Sequence, residues 1–221
     1  MVDTKAITAK PTTVTSNGTE QDEFIPKLDW VVVTEPVLTG QECERLIACK
    51  DSWKRHQGKV QHVTQGGVRS EFVEQSAQRE VTLYSPQTPI PWLFKRITQA
   101  INNINEQVWK FQLADYAERP NLMRYDEAAK SPSGVNGHYD WHMDVGTHPV
   151  MAKRKISFSL ILNDDYGGKG MEFKIGLQGT PEKPPRGALI AFPSYILHRV
   201  HPVTAGTRWA LVGWVHGPSF S

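Results

Sequence analysis

Apolar positions follow two different rhythms along this chain, with the change near Phe111. Before that point the spacing is mostly helical. Thr39-Gly40-Gln41-Glu42 has the capping-box pattern, and Cys43, Leu46, Ile47 and Trp53 follow at helical spacing. Together they predict a helix from Thr39 to about Lys54. Pro86, Pro89 and Pro91 lead into a second helix, whose Leu93, Ile97, Ile101, Ile104 and Val108 form one apolar stripe. Two β-branched runs, Asp29 to Thr34 and Arg79 to Tyr84, predict strands, and Gly58 to Gly67 reads as a polar loop. After Phe111 come short apolar runs at Asn121–Tyr125, Lys155–Leu162, Met171–Ile175, Ala188–Phe192, Arg199–Val203 and Thr207–Val215. Turn residues separate them, among them Gly134, Gly137, Asp164-Asp165, Gly167-Gly168 and Pro184-Pro185. Helices followed by many short strands predict an α+β chain with a jelly-roll C-terminal part.

Residues 1–22 are rich in Thr, Ser, Lys and Asn without a sustained period, and read as a mobile tail. The rest, residues 23–221, reads as one domain, with helical support over about 23–118 and a jelly-roll core over about 119–217. Against 25 Lys and Arg stand 23 Asp and Glu, a net charge of +2. So small a charge provides no field to recruit nucleic acid or an anionic membrane. No run approaches the roughly 18 apolar residues of a membrane span, and Met1 to Asp22 lacks the apolar segment of a secretory signal. A cytoplasmic location is the expectation. Cys43 and Cys49 are the only cysteines, and six positions apart on a helix they point to different faces. Two reduced thiols are expected.

Eight histidines offer chemistry: 56, 62, 138, 142, 148, 198, 201 and 216. The segment Gly137-His138-Tyr139-Asp140-Trp141-His142-Met143-Asp144 holds two overlapping His-x-Asp pairs. On an extended strand, residues i and i+2 share a face, so either pair can present an imidazole beside a carboxylate. With one more histidine, such a pair makes the 2-His-1-carboxylate set of non-haem Fe(II) oxygenases, which leaves coordination positions open. Downstream, Phe192 to Trp209 places His198 before a turn and Arg208 inside the next apolar run. Folded as a hairpin about Ala205, that segment sets Arg208 opposite Pro202, on the face of His198. The same alternation turns Ala210, Val212 and Trp214 inward with it. An arginine on an apolar face needs an anion, either a ligand carboxylate or an internal acid.

From Arg124 to Val215 the chain resembles the Fe(II)/2-oxoglutarate-dependent dioxygenases, and within them the prolyl 4-hydroxylase-like group. The resemblance rests on Arg124-Tyr125, the double His-x-Asp segment, Arg154-Lys155-Ile156-Ser157 with Leu162-Asn163, and Tyr166-Gly167-Gly168. It continues through Phe192-Pro193-Ser194, His198-Arg199-Val200 with Pro202-Val203-Thr204, then Gly206 and Arg208. These pieces occur in the family's order over about 90 residues. The resemblance implies a double-stranded β-helix, with His142, Asp144 and His198 as the iron ligands. Tyr139, three positions before His142, favours that pair over His138 and Asp140. Arg208 is implied to grip the distal carboxylate of 2-oxoglutarate, Tyr125 to offer it a hydroxyl, and Trp214 to line the pocket. Retention of Asp144 sets the chain apart from the related halogenases. The implied activity is hydroxylation of an unactivated C–H bond with release of succinate and CO2. The nearest analogy for the substrate is a prolyl residue in a peptide or protein, and a free amino acid or small metabolite is the alternative. The implied cofactors are Fe(II), 2-oxoglutarate and O2, with L-ascorbate as an accessory.

Three other classes fit less well. A nucleic-acid demethylase would carry an arginine where Trp214 stands, and a cupin-like or zinc enzyme leaves Arg208 unexplained. A non-catalytic jelly-roll binding module leaves the histidines without a task. The chain departs from the family at Gly168-Lys169-Gly170, where the additional glycine predicts a bulge near the substrate mouth. The long polar segment Asp126–Asn136 predicts a flexible rim. Lys153-Arg154-Lys155 reads as a solvated strand end, and Lys169 and Arg186 as rim cations without an assigned role.

Overall fold

In the computed structural model, residues 4–6, 30–56, 59–64, 67–72, 79–175 and 178–220 are described. Of the segment read as a tail, only β1 (Thr4–Ala6) lies within them, paired antiparallel with β2 (Val32–Thr34). Helix α1 (Gly40–Ala48) begins at the Thr39 cap. There the Thr39 hydroxyl accepts from the Glu42 amide, and the Glu42 carboxylate accepts from the Thr39 amide. A 3-10 turn, Cys49–Ser52, ends it short of Lys54. Next come β3 (Lys54–His56) and a two-stranded hairpin, β4 (Lys59–Thr64) with β5 (Gly67–Phe72), where a polar loop was expected.

The predicted strand at Arg79–Tyr84 is two strands. β6 (Arg79–Glu80) and β7 (Thr82–Ser85) flank Val81 and belong to different sheets. After α2 (Pro91–Gln107), the remaining strands are β8 (Asn121–Asp126), β9 (His138–His142), β10 (Arg154–Ile161), β11 (Met171–Ile175) and β12 (Gln178–Glu182). β13 (Leu189–Pro193), β14 (Leu197–Val200) and β15 (Thr207–His216) complete the chain. A major sheet runs β1-β2-β13-β10-β15-β8-β7-β3, and a minor sheet runs β12-β11-β14-β9-β6. Every pairing is antiparallel. The fold is the expected α+β jelly roll, although strands of the N-terminal half extend both sheets.

Period-two alternation divides the major sheet into two faces. Ile156, Phe158, Leu160, Leu189, Trp209 and Leu211 pack with Leu46, Leu93, Ile97, Ile101 and Ile104 of the helices. Each fully buried aliphatic side chain there contributes about 1.5–3 kcal/mol. The helices thus cover one face of the sheet. The opposite face turns Met123, Tyr125, Ile161, Ile190 and Phe192 toward Phe173 and Val200 of the minor sheet. Between the sheets the polar side chains are few, and they make the site.

Candidate metal centre

Strand pairing brings two distant histidines together. His198 on β14 lies directly opposite His142 on β9, and their rings sit 4.2 Å apart, centroid to centroid. Asp144 follows His142 by two residues and keeps to its side. Its carboxylate oxygens lie 3.8 Å from His142 Nε2 and 3.7 Å from His198 Nε2. Those separations are too long for hydrogen bonds. The ligand atoms face a common point, all within 4.8 Å of one another, and among the described residues this is the one such cluster. His138 and Asp140 take no part. The Asp140 carboxylate accepts from the Trp141 amide, and His138 Nδ1 lies 2.8 Å from the Asn136 carbonyl.

Hydrogen bonds fix both imidazole tautomers. His142 Nδ1 lies 2.7 Å from the Asp140 carbonyl, and His198 Nδ1 lies 2.9 Å from the Ile196 carbonyl. A carbonyl only accepts, so each Nδ1 carries the proton and each Nε2 lone pair points at the shared site. Tyr139 stacks on His142 at 3.6 Å, and Phe192 packs edge-on against His198 at 4.6 Å. Burial, and then the His198 ring, push His142 down to about 4. Burial raises Asp144, but the His198, His142 and Arg154 charges and the Ser157 hydroxyl outweigh it and hold the carboxyl below its ordinary range. Two lone pairs and a carboxylate converging in a buried space call for a cation. The donor set suits a divalent metal such as Fe(II) that keeps open positions.

Arg208, on β15, is 1% exposed, and among the described residues Nε, Nη1 and Nη2 all lack hydrogen-bond partners. The internal acid left open by the sequence is therefore absent among those residues. An orphaned, desolvated guanidinium fits an anionic ligand. The route to this position differs from expectation. β14 and β15 form no hairpin, because β14 lies in the minor sheet between β11 and β9 while β15 pairs with β8 and β10. Arg208 and His198 are buried side chains of strands in opposite sheets rather than neighbours along one sheet. Tyr125 is the register partner of Arg208, which lies 5.2 Å from its ring centroid. The Tyr125 hydroxyl donates to Met123 Sδ, at 3.2 Å, and burial pushes it up to about 12. Buried Trp214 shares the inward face, and its indole N–H also lacks a partner among the described residues.

Two arginines near the site escaped the sequence reading. Arg154, expected in a solvated strand end, is 7% exposed. It donates from Nε and Nη2 to Glu118 at 2.6 and 2.5 Å and from Nη1 to the Asp144 carbonyl at 2.9 Å, and it stacks on Trp214 at 3.7 Å. His216 completes the brace, since its Nδ1 accepts from the Ala117 amide and its Nε2 donates to Glu118. Lys155 is buried too, with Nζ 3.5 Å from the Phe220 ring centroid. The departure lies in tertiary structure, because Glu118 comes from 36 residues upstream. Arg79, the second arginine, sits beside Tyr139. Arg186 is engaged elsewhere, with Glu44 at 3.1 Å. The segment 126–136, expected to form a flexible rim, carries a hydrogen bond of its own, Ala128 N–H to Asn136 Oδ1 at 2.7 Å, and one to β6, Ser131 Oγ to Glu80 at 3.2 Å.

Comparison with known proteins agrees with this geometry. Residues 121–216 match the model of the 2OG-Fe(II) oxygenase superfamily. A PKHD-type hydroxylase of Synechococcus sp. (strain CC9902) is 40% identical over 88 residues, which are 38% of this chain and 39% of that protein. One of Hyphomonas neptunium is 32% identical over 118 residues, 50% of each. The chain thus spans about half or less of these curated relatives. Among solved structures, a Pseudomonas putida prolyl-4-hydroxylase aligns with TM-score 0.63 at 17% identity, covering 86% of this chain and 94% of that one. A Trichoplax adhaerens prolyl hydroxylase, in complex with a hypoxia inducible factor oxygen degradation domain peptide fragment, aligns with TM-score 0.65 at 15% identity, covering 85% and 83%. At such identities the structural likeness speaks for the fold.

Proposed function

We propose, from the match of residues 121–216 to the 2OG-Fe(II) oxygenase superfamily, that the chain is a 2-oxoglutarate-dependent dioxygenase that hydroxylates an unactivated C–H bond. The observation that carries this reading is the meeting of His142, Asp144 and His198 in a fold that also buries the Arg208 guanidinium without a hydrogen-bond partner among the described residues. Residues 23–221 act as one catalytic domain in this reading. His142, Asp144 and His198 hold Fe(II), and Arg208 holds the distal carboxylate of 2-oxoglutarate through its planar fork. Tyr125 exchanges its weak sulfur acceptor for the cosubstrate, and Trp214 lines the pocket with its N–H.

Bound there, iron with 2-oxoglutarate and O2 supplies the oxidising power, with succinate and CO2 as coproducts and L-ascorbate as an accessory. The chain's own work is positioning and exclusion of water. The two carbonyls behind the imidazoles keep both Nε2 lone pairs turned inward. Arg154 holds the Asp144 backbone from one side, and the Ser194 carbonyl accepts the Asp144 amide at 3.0 Å from the other. Phe173, Phe192 and Val200 keep the inter-sheet space apolar around the reacting bond.

A prolyl residue of a peptide or protein is the substrate class in the names of the structural relatives. A second reading, a free amino acid or small metabolite, is favoured by Arg79, whose guanidinium lies beside Tyr139 with Nη2 unpaired among the described residues. The test is succinate formation from 2-oxoglutarate with added Fe(II), alongside mass spectrometry for a gain of one oxygen across prolyl peptides and free amino acids. Succinate that depends on iron and on a substrate supports the proposal. Succinate release unaffected by iron removal refutes it.

A further inference from the structure

Arg79 enters the site by an unusual route. The chain leaves the minor sheet at Val81 to join the major one, so Arg79–Glu80 is a two-residue edge strand beside β9, with Arg79 opposite Tyr139. Its guanidinium carbon lies 5.3 Å from the Tyr139 ring centroid, and Tyr139 stacks directly on His142. Arg79 is half-buried, yet its Nη2 is shielded from solvent and has no hydrogen-bond partner among the described residues. Neighbouring Glu80 accepts a hydrogen bond from Ser131. The Arg79 charge acts on Tyr139, Tyr125 and His142, so it is directed at the metal site from the side of β9.

The other two arginines around the site have assigned work. Arg154 is saturated by Glu118, the Asp144 carbonyl and Trp214. Arg208 is matched to 2-oxoglutarate in the proposed function. Counting charges on that reading, a divalent iron and Arg208 balance Asp144 and the dianionic cosubstrate. Among the described residues Arg79 is left as one positive charge without an anion, and a desolvated guanidinium nitrogen such as its Nη2 is costly to leave unpaired.

We propose that Arg79, with the Tyr139 hydroxyl beside it, is an anion subsite for the primary substrate, so the molecule hydroxylated carries a carboxylate near the target C–H bond, as a free amino acid or a C-terminal residue does. The inference rests on the oxygenase reading and narrows its substrate class. An internal prolyl residue offers only neutral amides at that position. A bidentate charge-assisted pair favours an acid over the matching amide by about 10- to 100-fold.

The test uses the full chain loaded with Mn(II) and 2-oxoglutarate, so that binding is read without turnover. Isothermal titration compares each of the twenty common L-amino acids with its amide, and acetyl-Gly-Pro with its C-terminal amide. The wild-type chain is expected to bind at least one acid about 10- to 100-fold more tightly than its amide. Arg79→Gln should abolish that preference, Arg79→Lys should keep part of it, and both should leave 2-oxoglutarate affinity within about twofold, as expected where a cation does not touch that ligand. Thermal melts of both variants check the fold. Equal binding of acids and amides, no saturable acid binding in the panel, or a matching loss of 2-oxoglutarate affinity in Arg79→Gln would each overturn the assignment. If Mn(II) and 2-oxoglutarate fail to bind the wild-type chain, the oxygenase reading falls and this subsite with it. If they bind and no acid preference appears, only the subsite falls.

Discussion

Replacing Arg208 with methionine should stabilise the protein without ligands while crippling its cosubstrate binding. The side chain is 1% exposed and its three guanidinium nitrogens are unpaired among the described residues, so the ligand-free fold carries a desolvated charge offset there by no hydrogen bond, only by the face of Tyr125. Exchanging buried ionic groups for apolar ones of similar volume is worth about 1–4 kcal/mol in other proteins. Taking about 2 kcal/mol, and about 2–4 °C per kcal/mol for a chain of this size, the melting temperature should rise by about 4–8 °C. The cosubstrate loses two charge-assisted hydrogen bonds of about 1.5–3 kcal/mol each, so affinity should fall at least about 100-fold. Differential scanning fluorimetry reads both effects, first with EDTA and then with Mn(II) and increasing 2-oxoglutarate. Cosubstrate at about 100 times its dissociation constant adds about 2.7 kcal/mol to the wild-type chain. That increment should vanish in the variant. A variant that melts lower than wild type without ligands, yet keeps the full 2-oxoglutarate shift, would refute the reasoning.

Other consequences are local. Tyr125→Phe removes a buried hydroxyl whose acceptor is a thioether. Stability measured by urea unfolding should change by less than about 1 kcal/mol, and 2-oxoglutarate affinity by calorimetry should fall about 2- to 10-fold. Gly168 sits at φ 117°, where an added Cβ would meet the Pro202 carbonyl oxygen at 2.7 Å. Gly168→Ala should therefore cost about 1–3 kcal/mol in the same unfolding assay. Burial raises Glu118, but hydrogen bonds and charge from Arg154 and His216 outweigh it and hold its carboxyl below the ordinary range. A depressed folded value contributes stability above the unfolded value of about 4.3, which is lost as pH falls through the lower folded value. The stability advantage of wild type over Glu118→Gln should thus be full at pH 6–7 and shrink below about pH 4 in urea midpoints. A constant difference across that range would refute the Glu118 brace.

Local rules of sequence carried the elements whose stabilising contacts are themselves local. The capping box at Thr39 and Glu42 and the stripe from Leu93 to Ile104 both follow from backbone geometry, and the structure contains both helices. Alternation correctly turned Arg208 and Trp214 inward. It could not tell which sheet each strand joins, so the expected hairpin about Ala205 gave way to strands on opposite sheets. The convergence of His142, Asp144 and His198 was readable through the family resemblance rather than through spacing, because β9 and β14 are more than 50 residues apart in the chain. The Arg154 brace depends on Glu118, and the Arg79 position on a crossover at Val81. Neither feature leaves a periodic trace.

The central claim is that three side chains from two strands hold one ferrous ion beside the 2-oxoglutarate arginine. It is tested most directly by anaerobic titration of the full chain with Fe(II) in the presence of 2-oxoglutarate, followed by visible charge-transfer absorption. The account predicts a band that saturates at one iron per chain and is lost in Asp144→Ala and in His198→Ala variants that still fold. A band of full intensity and unchanged affinity in either variant, or none in the wild-type chain, contradicts it.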